Sequence, residues 1–192
     1  MRRTITVVLA LCGMIGTVHA ADQSVYLKQA HELVSHFNYK LKHTRKSGLS
    51  EGGIPKALEK CHLDAPDIAH ELSTGSPWTV RRTTLKTRDL EDAPDKWEFK
   101  VLKAFEKRKA AGEDPKGMDY SEVVEKDGKR TFRYMQAIVI SRGCLKCHGK
   151  HIRQKVRVQL DSLYPFDQAT GYSVGDVRGA YSLSRPLASG AK

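Results

Sequence analysis

The chain has 192 residues, with 33 Lys and Arg against 22 Asp and Glu and a formal charge of +11. That length suits one ordinary domain with a single core, and no internal repeat or low-complexity tract divides it. After the first twenty residues no segment approaches the roughly 20 consecutive apolar residues that a membrane span needs, which excludes an integral membrane reading of the mature chain.

Residues 1–20, MRRTITVVLALCGMIGTVHA, carry Arg2 and Arg3, then an apolar run from Ile5 to Val18, then small residues up to Ala20. This pattern predicts a secretory signal peptide cleaved after Ala20, leaving residues 21–192 as the mature domain in the periplasm. Cys12 raises a lipoprotein signal, against which Leu11 argues, being bulky where such signals want a small residue. Removing the signal takes away two arginines and lowers the formal charge to +9. An exported protein does not meet nucleic acid, so the basic excess points to acidic protein partners, anionic envelope surfaces, small anionic groups or plain solubility.

From about Asp22 to Lys46, the residues Val25, Leu27, Ala30, Leu33, Val34, Phe37 and Leu41 recur mostly at spacings of three and four, predicting one long amphipathic helix. Ser47, Gly48, Gly52 and Gly53 are expected to end it. Pro55 suits the first turn of a second helix, IPKALEKCH, which Pro66 ends or restarts into PDIAHELS. WTVRRTTLKTRD is rich in β-branched residues, predicting a strand from Trp78 to about Lys86. DKWEFKVLKAFEKRKAAG reads as a helix with Trp97, Val101, Leu102 and Phe105 on one face. YSEVVEKDGKRTFRYMQAIVI holds two strands joined at Asp127-Gly128, a strong hairpin signal. The stretch after SRGCLKCHGK, with Pro165, Gly171 and Gly175, reads as loop-rich, and VRGAYSLSRPL as a last strand. Helices first, then mainly antiparallel strands, predict an α+β domain with a small sheet. Trp78, Trp97, Phe105, Phe132 and Tyr134 are expected in the core, and His31, His36, His43 and His70 on helix surfaces.

The second hairpin strand leads straight into SRGCLKCHGK, where Cys144, Cys147 and His148 form C-x-x-C-H. This spacing is that of a c-type haem attachment site. On a helical turn, residues three apart share a face, so two sulfurs can reach the two vinyl groups of one porphyrin edge while the next histidine turns toward the iron. Export strengthens the reading, because bacteria attach this haem outside the cytoplasm. Two alternatives compete. A structural zinc site could draw on Cys61, Cys144, Cys147 and His148, though His148 adjoining Cys147 is cramped for one ion. A thioredoxin-like redox pair would need a βαβ unit that the mainly antiparallel order lacks. If the motif holds haem, Cys61 has no cysteine left for an internal disulfide. It is then a small buried apolar residue, an interchain partner or a ligand. His62, Met118, Met135 and His151 are the other candidate sixth ligands.

The ordered segments CHLDAPDIA, VRRTTLKTRDLEDAPDKWE, CLKCHG and TGYSVGDVRGAYSLSRPL, from about Ala30 to Leu187, resemble a c-type haem domain family once catalogued as a domain of unknown function. Members of that family stand alone or serve as input modules of membrane sensors. The resemblance implies a PAS-like antiparallel sheet backed by helices, with a long N-terminal helix, and one covalent haem c. It also implies that the iron is bound by His148 and by a cysteine of the upstream C-x-x-x-A-P segment, here Cys61 with Ala65 and Pro66. Thiolate ligation would favour ferric iron and a low potential. Arg81, Arg82, Lys86 and Arg88 lie in the matching basic run, and one or two of them, Arg81 and Arg82 first, are expected at the haem propionates.

Two functions follow as expectations. The first is a periplasmic single-haem protein that senses redox state or a small gas such as nitric oxide or carbon monoxide, which would displace Cys61. With no kinase, cyclase or membrane segment, it would need a separate signalling partner. The second is a soluble electron carrier whose basic surface docks acidic redox partners. The residues offer no compelling acid, base or nucleophile set for an enzyme.

Overall fold

The computed structural model describes residues 20–188. The signal-peptide and Cys12 readings therefore lie outside the described residues, apart from Ala20.

The first element, α1 (Ala20–Thr74), is a helical hairpin whose two arms meet at Gly52 and Gly53, where the backbone leaves helical geometry. Gly53 has a positive φ of 70°, open to glycine without strain. The arms run antiparallel, tied by Lys40 Nζ to Glu71 and by Thr44 Oγ1 to Asp64 at 3.0 Å. Two expectations change here. Gly48 continues the first arm instead of ending it, because the arms approach so closely that a Cβ at Gly48 would stand 2.5 Å from Ala57 Cα. Pro66 lies inside the second arm without ending it; packing of Ala65 and Ile68 into the interior holds the helix through the missing backbone donor.

The sheet is antiparallel throughout, in the order β1 (Thr79–Thr83), β4 (Val177–Pro186), β3 (Lys129–Val139), β2 (Asp119–Lys126). With α1 and the helix α2 (Lys96–Ala110), it makes the expected α+β architecture with a long N-terminal helix. Asp127 and Gly128 both take positive φ, the conformation a two-residue hairpin turn requires. β1 stops at Thr83, short of the expected Lys86, because Thr84 leaves the ladder to bond Asp92 O and Arg178 O.

Strand periodicity divides the core in two. On one face Val80, Tyr181, Leu183, Phe132 and Tyr134 pack against Ala30, Val34, Phe37 and Ile68 of α1. On the other, Met135, Ala137, Ala180 and Met118 pack against Val101, Leu102 and Phe105 of α2. Asp95 caps α2 by accepting from Glu98 N at 2.7 Å, while Glu98 reaches back to Asp95 N at 2.8 Å.

Beyond β3 come a 3-10 turn, Arg142–Cys144, a single helical turn, α3 (Leu145–His148), and a helix, α4 (Gln154–Leu163). The sequence reading gave α4 as loop. Its Val156 and Leu160 pack on Leu58 of α1, which supplies the apolar partner that ten residues alone do not reveal.

Candidate haem-binding site

The C-x-x-C-H segment is a true helical turn, held at both ends. Ile140 exchanges backbone hydrogen bonds with Asp176 and Gly175, and Tyr172 N donates to His148 O at 3.0 Å. Gly149 closes the turn where a Cβ would stand 2.6 Å from Leu145 O, a contact only glycine avoids. Arg88 binds the turn from a third side, donating to Cys147 O at 2.6 Å and pairing with Asp167 at 3.0 Å; both of these charged side chains are more than nine-tenths buried.

His148 carries the decisive geometry. Its Nδ1 lies 2.7 Å from Ala169 O. A carbonyl only accepts, so the proton sits on Nδ1 and the Nε2 lone pair is free, the orientation that ligating histidines take from a backbone partner. Burial, and after it Arg88, Arg178 and Arg82, lower the His148 pKa well below its ordinary value, so the ring is neutral and able to donate that lone pair.

The three cysteines of the described chain are free. Cys144 packs beside Ile140, Ala169 and Tyr172, while Cys147 packs beside Leu58, Val156 and Leu160. Cys61, from the second arm of α1, lies within the electrostatic reach of Cys147, as does Cys144. Burial raises the thiol pKa of Cys61 and of Cys147, and the positive charge of Arg45 opposes this at both. Arg45 Nε and His62 Nδ1 are buried without hydrogen-bond partners among the described residues, and His62 stands edge-on to Tyr164 at 4.9 Å. Among the described residues no group of three or more His, Cys, Asp or Glu closes on a common point as a zinc cage must. The antiparallel sheet likewise lacks the βαβ unit of a thioredoxin-like pair.

Neighbouring strand residues face opposite ways, and this separates the two arginines expected at the site. Arg82 lies on the α1 face, where its charge reaches Cys61 and His148, and it pairs with Asp92 at 3.6 Å. Arg81 lies on the other face, that of α2, bonded to buried Glu98 at 2.7 Å and to the Glu91 and Ala93 carbonyls. Arg88 and Arg178 act more strongly on His148 than Arg82 does; the Arg178 guanidinium bonds Thr84 Oγ1 at 2.8 Å and has no carboxylate within ion-pair distance among the described residues. Arg178, Arg45 and Asp167 were not found from the sequence, since nothing local distinguishes them. Met118 and Met135 are buried in the α2-face core, away from the motif, and His151 is exposed.

The family model of the Tll0287-like family matches residues 17–186. The chain belongs to the Tll0287-like family. Among solved structures it is similar to one described as the crystal structure of the cyanobacterial heme-protein Tll0287, at 23% identity and a TM-score of 0.61, over 85% of this chain and 98% of that one. That likeness bears on the fold, and the Tll0287-like architecture is the one described above. No curated protein matches the chain.

Proposed function

We propose that this chain is an exported, non-enzymatic protein of PAS-like fold that binds one haem c, with Cys144 and Cys147 as thioether anchors, His148 as the proximal iron ligand and Cys61 as the distal one. The observation that carries the reading is His148, a buried neutral imidazole whose Nδ1 is committed to Ala169 O and whose Nε2 is free, one residue beyond two free thiols. The remaining donors fit. Cys61 reaches the motif from another element, and the half-buried Arg178 and Arg45 Nε, which has no partner among the described residues, offer donors to propionate carboxylates alongside Arg82 and Arg88. Membership in the Tll0287-like family and the likeness to a cyanobacterial heme-protein support the same cofactor.

Bound there, a haem supplies a one-electron iron couple, which a thiolate ligand biases toward the ferric state. Arg88 and Tyr172 fix the turn that presents His148, and the α1 hairpin presents Cys61. The role that follows is redox or small-ligand sensing in the periplasm. Electron carriage is the second reading, favoured by the exposed cations Arg142, Lys146 and Lys150 around the motif, which pair with no carboxylate among the described residues. Carbon monoxide added to the reduced protein separates them, since rapid binding supports sensing and inertness supports carriage.

The test of the cofactor is mass spectrometry of the polypeptide exported from a host with cytochrome maturation machinery. The expected result is one covalent haem, lost when Cys144→Ala and Cys147→Ala are combined. Native protein without the added mass would overturn the proposal.

A further inference from the structure

Between Asp127 and Asp161 the sequence contains no Asp or Glu. Within that stretch Arg142, Lys146, Lys150, Arg153 and Lys155 are exposed, and Arg157 is half-buried. None of the six takes part in an ion pair with the described residues. Cations elsewhere on the surface do pair: Lys40 with Glu71, Lys60 with Glu51, Lys103 with Glu106, Arg108 with Glu113 and Lys109 with Asp176. The closest approach to an exception is Lys150, which acts on Asp176 at a distance while Asp176 is hydrogen-bonded to Lys109. Like charges crowded in sixteen residues repel, and interspersed acids ordinarily relieve this.

α4 adds a second, independent cost. It begins with Arg153 at the capping position and no side-chain cap, has no acid in its first turn, and carries Lys155 there. Cations at a helix N-terminus oppose the macrodipole and leave the first backbone N–H groups unserved. Carboxylates arriving from outside would relieve both costs, by pairing with the cations and by capping α4.

We propose that residues 142–157 form the docking surface for an acidic protein partner. The choice of protein over an anionic membrane rests on α4, whose Val156 and Leu160 are buried and whose outward side offers Val158 as its exposed large apolar residue. A surface helix that enters lipid needs a broader apolar face. The basic segment is interleaved with Cys144, Cys147 and His148, so a partner seated there stands beside the haem of the reading above. That purpose rests on the haem reading, whereas the docking itself does not.

The test uses the exported protein with poly-L-glutamate as the probe, followed by amide chemical-shift mapping and by affinity at two ionic strengths. A triple variant, Lys150→Glu, Arg153→Glu and Lys155→Glu, is compared with one of equal charge change on exposed sites elsewhere, Lys96→Glu, Lys100→Glu and Lys116→Glu. The expected result is shifts clustered at 142–157, salt-sensitive binding, and an affinity lowered about tenfold or more in the first triple and about twofold or less in the second. Equal losses in both triples would show that only net charge matters and would overturn the proposal. Tighter binding to phosphatidylglycerol vesicles than to poly-L-glutamate, lost in the first triple alone, would overturn it in favour of a membrane. Mass spectrometry of the same preparation reports the haem separately, so a pigment-free chain that still maps to 142–157 fails the haem reading and keeps the docking surface.

Discussion

Cys61 tests how far single side chains can be read. Its thiol is half-buried in the second arm of α1, and burial raises its pKa while Arg45 and then Arg82 pull it down. A thiol so placed gains little by ionising alone and much by binding a metal, because coordination supplies the positive charge that desolvation demands. Cys61→Ala is therefore expected to retain covalent haem while losing the thiolate-type ferric absorption spectrum and raising the midpoint potential. An unchanged ferric spectrum would remove Cys61 from the coordination sphere. The motif residues were legible in the sequence because three reactive side chains in five positions have few other uses. Arg88 with Asp167, 79 positions apart, was legible only in its basic half, and Arg178 not at all. Their roles come from long-range packing, and no local pattern encodes which distant carboxylate or hydroxyl an arginine will find.

Among the elements, α2 was legible because its signal is local, an apolar face of Trp97, Val101, Leu102 and Phe105 at helical spacing; the structure adds the Asp95–Glu98 capping box and the cations of the last turn. α4 was not, because it is short, starts without a cap, and owes its apolar partner to Leu58 of another helix. α1 was read in pieces for the opposite reason, since Gly48 and Pro66 are breakers by propensity and only the close crossing of the arms explains the glycine. The α2 cap also gives a pH dependence. Burial raises the Asp95 carboxyl, but hydrogen bonds from the Glu98 backbone and Arg133 outweigh it and hold its pKa below the usual carboxylate range. A lowered folded-state pKa contributes stability that is complete above the unfolded value and fades as pH falls through the folded one. Asp95→Ala should thus cost about 1 kcal/mol at neutral pH, by loss of the cap. Urea unfolding should show this difference shrinking below about pH 4. A difference that grows on acidification would show that Asp95 does not act through its ionised form.

Across the whole molecule, the two sides of the sheet are unequal in what they hold together. The α2 face is sealed by seven buried residues from α2, the β2 approach, β3 and β4, none of which belongs to the motif. The segment that carries Cys144, Cys147 and His148 rests on two small clusters, Leu58 with Val156 and Leu160, and Ile140 with Ala169 and Tyr172. These are joined by Arg88 and a few backbone bonds. Local stability follows buried apolar contact, so the chain should open first where those contacts are fewest. A buried charged pair such as Arg88 with Asp167 does little to offset this, because desolvation consumes most of its attraction. A haem tethered at Cys144 and Cys147 and ligated by Cys61 would cross-link this weak region to α1. Native-state hydrogen exchange on the Cys144→Ala, Cys147→Ala double variant is therefore expected to lose protection first across residues 142–172, while α2, β3 and β4 exchange at the rate set by global unfolding. The haem-loaded protein should show that segment raised toward the global value. Equal protection of residues 142–172 in the two proteins would mean that the motif is held by the fold alone, and that the cofactor contributes nothing to closing this side of the sheet.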